Sequence, residues 1–244
     1  MENRRTIVII PAYNEAENIA EVVRRATRHA PVLVVNDGSK DATGEIAAAL
    51  PGTTVINHER NTHIPGAIID GFKYALAHGY DYAITMDAGL SHDPQLIASL
   101  MAQPDADLIL SYRPDPKNVP AYRKALSRAA AHLVNAAIRR PRWKVWKRGY
   151  RDVTSGYRRY SRRAMQAIVD APMVCRSFDF HLEALAVVSY SGLTIREFPI
   201  TYVFSNSSLT RKVVGQAFTT WVRLLLGLHR RPLGRPGATP EGGP

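Results

Sequence analysis

Residues 6–20 read TIVIIPAYNEAENIA, and this stretch decides the fold class. The apolar, β-branched run at 6–10 predicts a strand that is buried on both faces. Asn14 then stands where a helix cap is expected, and a helical pattern continues to about His29. A buried strand followed directly by a helix is the unit from which parallel α/β sheets are built.

The same alternation repeats through the first half of the chain. Further strands are predicted at 32–35, 53–56, 82–86 and 108–110, with helices at 41–50, at 66–78 and after Asp93-Pro94. Short runs that are apolar on both faces and alternate with helices are typical of a parallel sheet covered on both sides. We therefore predict an α/β fold, a doubly wound and mostly parallel sheet with helices on both faces.

The second half of the chain is less regular. It predicts helices from 120 to about 138, at 162–169 and at 180–191, and strands at 153–160 and 194–204. Residues 229–244 are rich in proline and glycine and have little to bury, which is typical of disorder. We expect one domain over 1–205, a C-terminal amphipathic helix over 206–228 and a disordered tail over 229–244.

The formal net charge of +11 is unusually basic, and the chain has a single cysteine, Cys175. Such a balance favours nucleic acid, an anionic membrane surface or phosphorylated ligands. One cysteine excludes an internal disulfide framework and fits a reducing compartment. No apolar stretch has the length of a signal peptide or the roughly 18 residues of a membrane span. We expect a cytoplasmic protein that lies on membranes rather than through them.

Three polar clusters follow predicted strands, at 11–15, 36–39 and 87–92. Ligands of open parallel sheets bind beyond the carboxyl ends of the strands, so these clusters are expected to meet at one rim. Each cluster alone also fits ordinary turn and cap chemistry. The absence of a P-loop and of G-x-G-x-x-G argues against an NTPase or a dinucleotide enzyme. Acidic groups at this rim suit sugar or base hydroxyls and a divalent cation on a diphosphate.

Four stretches carry a resemblance to a known family: IPAYNEAENI (10–19), VVNDGSKDAT (34–43), AITMDAGLSHDP (83–94) and DVTSGYRRYSRRA (152–164). In order and spacing they resemble the motifs of dolichol-phosphate mannose synthase and its bacterial relatives, which are family 2 glycosyltransferases with a GT-A fold. The resemblance covers about residues 6–205. It implies an inverting enzyme that moves a sugar from a GDP- or UDP-sugar to a dolichyl or undecaprenyl phosphate at the cytoplasmic membrane face.

The resemblance also implies roles for individual residues. The nucleotide sugar would be bound by Pro11, Ala12, Tyr13, Glu15, Asn36, Asp37, Asp87 and Ala88. Asp87 would be the catalytic residue, the first acid of a D-x-D motif that faces Mg²⁺ or Mn²⁺ and the diphosphate. Arg113, Arg123 and Arg158 are candidate ligands of the acceptor phosphate, because a guanidinium can bind two oxygens. Solvation of a helix surface explains Arg123 equally well.

The sequence departs from the family pattern near the donor. Gly89 replaces the second acid of D-x-D, which leaves Asp87 with only Ser91 as a possible weak partner in binding metal. His63 and Pro65 stand where the family usually has glycines, and the stretch FSNSSLTRK at 204–212 matches poorly. Asn36 likewise replaces the first acid of Asp-Asp-Gly-Ser. Two alternatives stay open: a transferase with a soluble glycan or small-molecule acceptor, and a non-catalytic nucleotide-sugar or membrane-binding relative.

Residues 139–151, RRPRWKVWKRGYR, combine seven basic residues with Trp143, Trp146 and Tyr150. A solvated loop explains the charges but not two tryptophans. Tryptophan and tyrosine favour the membrane interface, and each basic residue near an anionic leaflet adds about 1 kcal/mol. Basic, aromatic grooves also bind single-stranded nucleic acid. Because the stretch precedes the expected acceptor side, we predict contact with an anionic membrane and no nucleic-acid partner.

Overall fold

The computed structural model describes residues 4–114, 149–177 and 179–201, together with 128–129, 131–132, 134–136, 219 and 221–222. Several predictions concern residues outside this set. They are the acceptor role of Arg123, the tryptophans of the stretch at 139–151, the tail at 229–244 and nearly all of the helix at 206–228. Within the described residues, no helix has the length and apolar character needed to cross a membrane.

The described residues form one seven-stranded sheet. Its strands are β1 (Thr6–Ala12), β2 (Val32–Asn36), β3 (Thr53–Asn57), β4 (Tyr82–Thr85), β5 (Leu108–Tyr112), β6 (Arg158–Ser161) and β7 (Ile195–Pro199). They lie in the order β3-β2-β1-β4-β6-β5-β7. All neighbours are parallel except β6, which runs antiparallel to both β4 and β5. The mostly parallel α/β sheet predicted from the sequence is confirmed.

Helices cover both faces of the sheet. The described helices are α1 (Ile19–Ala26), α2 (Thr43–Ala48), α3 (His63–Ala77), α4 (Leu96–Met101), α5 (Arg162–Asp170) and α6 (Phe180–Tyr190). Val8 and Ile10 of β1 pack with α1, α2 and α4, whereas Ile7 and Ile9 pack with α3, α5 and α6. Successive strand residues point to opposite faces, so a strand between two helical layers has to be apolar at every position.

Strand β6 begins later than the sequence pattern predicts, at Arg158 rather than at residue 153. The preceding residues form a loop held by their own side chains: Asp152 Oδ1 accepts from the Thr154 amide, and Ser155 Oγ accepts from the Tyr157 amide. Because β6 is antiparallel, its first residue pairs with Thr85 at the carboxyl end of β4. The loop at 152–157 therefore reaches the same rim as the polar clusters.

Arg159 is a buried cation that closes the end of α4. Its Nη1 donates to the carbonyl oxygens of Leu100, Met101 and Gln103 at 2.9, 3.1 and 3.0 Å, and its Nη2 donates to Pro104 at 2.9 Å. The last carbonyls of a helix lack partners within the helix, so this guanidinium satisfies groups that burial would otherwise leave unpaired.

Replacing Arg159 with methionine is expected to lower the free energy of unfolding by about 3 kcal/mol, because one buried and three part-buried carbonyl oxygens lose a charged donor together. Urea denaturation followed by circular dichroism measures the change. Arg163→Met is the matched control, since the Arg163 side chain is 74% exposed, and it should cost less than about 0.5 kcal/mol. Equal effects of the two substitutions would contradict the assigned role.

Candidate active site

The loops after β1 and β2 are joined at the carboxyl edge of the sheet. Asp37 donates its amide to the Ala12 carbonyl at 2.8 Å, and the Asn14 amide donates to Ser39 Oγ at 3.0 Å. Asn14 does not cap α1 as predicted. Its φ is 54°, and its Oδ1 accepts from the Lys40 amide at 2.8 Å. Asparagine tolerates this left-handed conformation, so the chain turns at Asn14 and α1 starts only at residue 19.

The predicted nucleotide-binding residues of the first cluster lie around this turn. Pro11 and Ala12 end β1, and Tyr13 is 44% exposed. Glu15 is part-buried, with its amide donating to Thr43 Oγ1 at 2.8 Å and its Oε2 accepting from Asn18 at 3.0 Å. The backbone of the cluster is thus fixed, while an aromatic ring faces solvent at the rim.

Asp37 joins the loop after β2 to the loop after β3. Its Oδ1 accepts from the amide and the hydroxyl of Thr62 at 2.8 and 2.7 Å and lies 2.8 Å from His58 Nδ1. Gly38, with φ of 71°, allows close approach, because a Cβ there would lie 2.7 Å from the carbonyl carbon of Arg60. Asn36 adds a bond from its Nδ2 to Asn57 Oδ1 at 2.9 Å. These bonds use Oδ1 of Asp37 and not Oδ2.

Asp87 follows β4 with its side chain 49% exposed at the rim. Its amide donates to Nδ1 of His92 at 3.3 Å, and its Oδ2 lies 3.6 Å from the same nitrogen. His92 is buried and stacks on Tyr157 with 5.0 Å between ring centroids. Burial holds the pKa of His92 below its ordinary value although the Asp87 carboxylate opposes the shift, so the ring is neutral and Nδ1 can accept.

The surroundings of Asp87 leave room for a divalent cation but offer few protein ligands. The described residues contain no group of three His, Cys, Asp or Glu side chains that could hold a metal ion. Ala88 is buried, Ser91 is part-buried, and a Cβ at Gly89 would meet nothing within 4 Å. One carboxylate together with diphosphate oxygens and water satisfies Mg²⁺. The site therefore fits a cation held jointly by Asp87 and a diphosphate.

Arg113 and Asp152 form a charged pair on the side of the rim where β5 ends. The guanidinium donates to both carboxylate oxygens of Asp152 at 2.6 and 3.0 Å, and to Thr154 Oγ1 at 2.7 Å. Burial of Asp152 disfavours its ionised form, but Arg113 and the bonds from Thr154 outweigh this and hold its pKa below the ordinary value. Arg113 is thereby fixed while its side chain stays 20% exposed.

Arg158, the other described candidate for the acceptor phosphate, lies in the interior. It is fully buried, and its guanidinium donates to the carbonyl oxygens of Ser155, Val153 and His181 at 2.7, 2.7 and 2.8 Å. These bonds hold the loop at 152–157 and the start of α6 against β6. In this conformation the guanidinium is directed away from a phosphate at the surface, so we do not retain Arg158 as an acceptor ligand.

The structure adds residues that the sequence did not single out. His58 and Thr62 fix Asp37, His92 fixes Asp87, and Asp152 fixes Arg113. His92 and Asp152 stand inside the quoted motifs, so their position was a usable signal. His58 and Thr62 stand outside these motifs, and only the packing of two loops reveals their contacts.

Comparison with known proteins shows to which class of enzyme the chain belongs. Residues 7–169 match Glycosyl transferase family 2. The chain is 32% identical over 213 residues to the polyprenol monophosphomannose synthase of Mycolicibacterium smegmatis, covering 82% of this chain and 77% of the relative. It is 32% identical over 234 residues to the undecaprenyl-phosphate mannosyltransferase of Micrococcus luteus, covering 90% and 93%. The chain is a glycosyltransferase, and it belongs to glycosyl transferase family 2.

Solved structures support the fold. Glucosyl-3-phosphoglycerate synthase from Mycobacterium tuberculosis, in complex with Mn²⁺, UDP and glucosyl-3-phosphoglycerate, has a TM-score of 0.67 to this chain at 19% identity. The match covers 93% of this chain and 80% of the synthase. At this level of identity the likeness shows the GT-A fold alone.

Replacing Gly89 with aspartate is expected to tighten divalent-cation binding about tenfold in the presence of a nucleoside diphosphate, because it supplies a second carboxylate in open space. The measurement is the Mn²⁺ concentration that half-saturates thermal stabilisation by GDP or UDP. Gly89→Asn has the same shape without the charge and should leave that concentration near the wild-type value. If the two variants behave alike, Gly89 does not face the cation.

Replacing Asp152 with asparagine is expected to cost about 2 kcal/mol of stability at pH 7, because Arg113 loses its charged partner. The folded-state pKa of Asp152 lies below the unfolded value of about 3.9. Its ionisation therefore stabilises the fold above that value, and the contribution is lost as pH falls through the folded-state pKa. Urea unfolding of both proteins from pH 7 to pH 2 should show the difference shrinking in acid. A difference independent of pH contradicts this origin.

Proposed function

We propose that this chain is an inverting glycosyltransferase that moves a sugar from a nucleoside diphosphate to a polyprenyl phosphate. The observation that carries the proposal is the half-exposed Asp87 carboxylate, placed at a rim that also holds the Asp37 loop and Arg113. The names of the two mannosyl-transferring relatives support a lipid phosphate acceptor. A GDP- or UDP-sugar is the proposed donor class.

The donor would bind along the ends of β1, β2 and β4. Tyr13 and Glu15 lie in the loop after β1, which the Asp37 amide joins to the loop after β2, and Oδ2 of Asp37 is not used by the loop contacts, so these groups are proposed to bind the base and ribose. Asp87 would face the diphosphate. Bound Mg²⁺ or Mn²⁺ would neutralise charge that develops on the departing diphosphate, with Asp87 as its protein carboxylate.

The acceptor would approach from the side of Arg113. A phosphate oxygen of the lipid attacks the anomeric carbon of the sugar while the bond from that carbon to the diphosphate breaks on the opposite face, which inverts the configuration. The attacking oxygen is already anionic, so no general base has to remove a proton. The protein mainly has to position the two phosphate groups, and Arg113 suits this task because Asp152 fixes its guanidinium.

Membrane contact is proposed for the stretch at 139–151 on the cytoplasmic leaflet. Its described end supports the proposal: the Tyr150 backbone is bonded twice to the Asn135 side chain at 2.8 Å, and the Arg151 guanidinium lies 4.5 Å from the centre of the Tyr112 ring. Tyr112 is the residue before Arg113. The basic stretch thus ends beside the proposed acceptor phosphate, where a lipid headgroup has to arrive.

Asp87→Asn is expected to reduce transfer at least about 100-fold, because the charge that organises the diphosphate is lost. The assay follows sugar transfer from GDP- and UDP-sugars to undecaprenyl phosphate in liposomes with Mg²⁺ or Mn²⁺. Asp170→Asn, a change at an exposed carboxylate of α5, is the control and should retain activity. If Asp87→Asn transfers sugar as fast as the wild-type protein, the proposal is wrong.

The same assay separates the two alternatives. Wild-type transfer to a water-soluble glycan or phosphorylated small molecule, with none to the lipid, would establish a soluble acceptor. If the protein binds nucleotide but transfers no sugar with any metal, it is a non-catalytic relative. The absence of a second acid at Gly89 is the reason to consider this alternative.

A further inference from the structure

His181 is a buried histidine for which the proposed chemistry has no role so far. It lies in the first turn of α6, is 3% exposed and packs edge to face on Phe180 with 5.7 Å between ring centroids. Its Nδ1 is buried and has no hydrogen-bond partner among the described residues. An unpaired polar atom in the interior reduces stability, and an apolar side chain of similar size avoids this cost. Its presence at this position therefore needs an explanation.

The other ring nitrogen of His181 lies on the side of Gly156, as does one oxygen of the Asp87 carboxylate. A Cβ added to Gly156 would lie 3.1 Å from His181 Nε2 and 3.2 Å from Asp87 Oδ1. Both atoms therefore border the same small space, which stays clear because Gly156 has no side chain. The position of Gly156 is itself fixed, since its carbonyl accepts from Thr85 Oγ1 at 2.7 Å.

The backbone of His181 is held firmly, and its ring is neutral. Arg158 donates to the His181 carbonyl at 2.8 Å and to the Ser155 carbonyl at 2.7 Å, so one guanidinium joins the start of α6 to the loop that contains Gly156. Burial and the nearby positive charge of Arg158 hold the pKa of His181 well below its ordinary value. A neutral ring carries one proton, and we assign it to Nε2 because a carboxylate oxygen borders that side.

We propose that His181 is a positioning residue that directs the Asp87 carboxylate towards the donor diphosphate. Its Nε2–H donates through one water to Asp87 Oδ1, past Gly156. His92 accepts from the Asp87 amide at 3.3 Å, so one histidine holds the backbone of Asp87 and the other directs its side chain. The inference rests on the proposed function. With Gly89 in place of a second acid, the direction of this single carboxylate decides how a diphosphate and its cation are held.

The test replaces His181 with leucine, which has no N–H, and with glutamine, whose amide N–H can point the same way. GDP and UDP binding with Mn²⁺ is measured by calorimetry on the full chain, with kcat and KM for transfer and the thermal midpoint alongside. We expect His181→Leu to unfold at the same or a higher temperature, yet to bind nucleoside diphosphate about 10- to 100-fold more weakly, as when a group that orients a ligand is removed. His181→Gln should retain most of the affinity.

Thr53→Val is the matched control. Thr53 Oγ1 is also buried without a partner among the described residues, but it starts β3, at the opposite end of the sheet from the rim. Thr53→Val should change the thermal midpoint but leave the affinity for GDP and UDP at the wild-type value. Gly156→Ala places a methyl group between His181 and Asp87 and should weaken nucleotide binding, which keeps the test decisive should His181→Leu fail to fold.

The outcomes separate this inference from the proposed function. The positioning role is overturned if folded His181→Leu or Gly156→Ala binds nucleoside diphosphate as tightly as the wild-type protein and has the same kcat/KM. This holds even when the wild-type protein transfers sugar to lipid. If His181→Leu and His181→Gln lose the same amount of nucleotide affinity, the proposed hydrogen bond from His181 is contradicted. A wild-type protein that binds no nucleoside diphosphate overturns both proposals together.

Discussion

The antiparallel strand β6, inserted between the parallel strands β4 and β5, is the constraint on which the acceptor half of the site depends. Two successive arginines point to opposite faces of this strand, and both are buried. Their charges are tolerated because backbone carbonyl oxygens of neighbouring loops and helices surround each guanidinium. Those carbonyls belong to α4, α6 and the loop at 152–157, and the same loop accepts from Arg113 through Thr154, so β6 holds the loop that contacts the proposed acceptor arginine.

The charges at the rim form two groups, for which we propose different tasks. Asp37 and Asp87 lie at the ends of β2 and β4 on the proposed donor side, and the pair of Arg113 and Asp152 lies where β5 ends. His92 stays neutral beside Asp87 because burial holds its pKa below the ordinary value, so it accepts from the Asp87 amide without adding positive charge. A cation that arrives with its diphosphate therefore meets a carboxylate that no neighbouring histidine neutralises.

The sheet could be predicted from sequence because each central strand is apolar at every position, as with residues 6–10. The polar clusters could be predicted to meet because carboxyl ends of parallel strands share an edge. Arg158 could not be placed, since an arginine after Ser155 and Gly156 suits a surface phosphate as well as a buried carbonyl cluster. His181 gave no signal either, because α6 is buried on all sides and shows no polar face. Asn14 suited a helix cap and a left-handed turn equally well.

The three bonds that meet on one oxygen of Asp37 have a consequence for how a donor is chosen. They join the loops after β2 and β3 to each other. Where such a joined surface borders a ligand, little conformational entropy is lost on binding, so the ligand is selected by its fit. If these loops bind the nucleotide as proposed, a change of nucleotide preference would require both loops to change together.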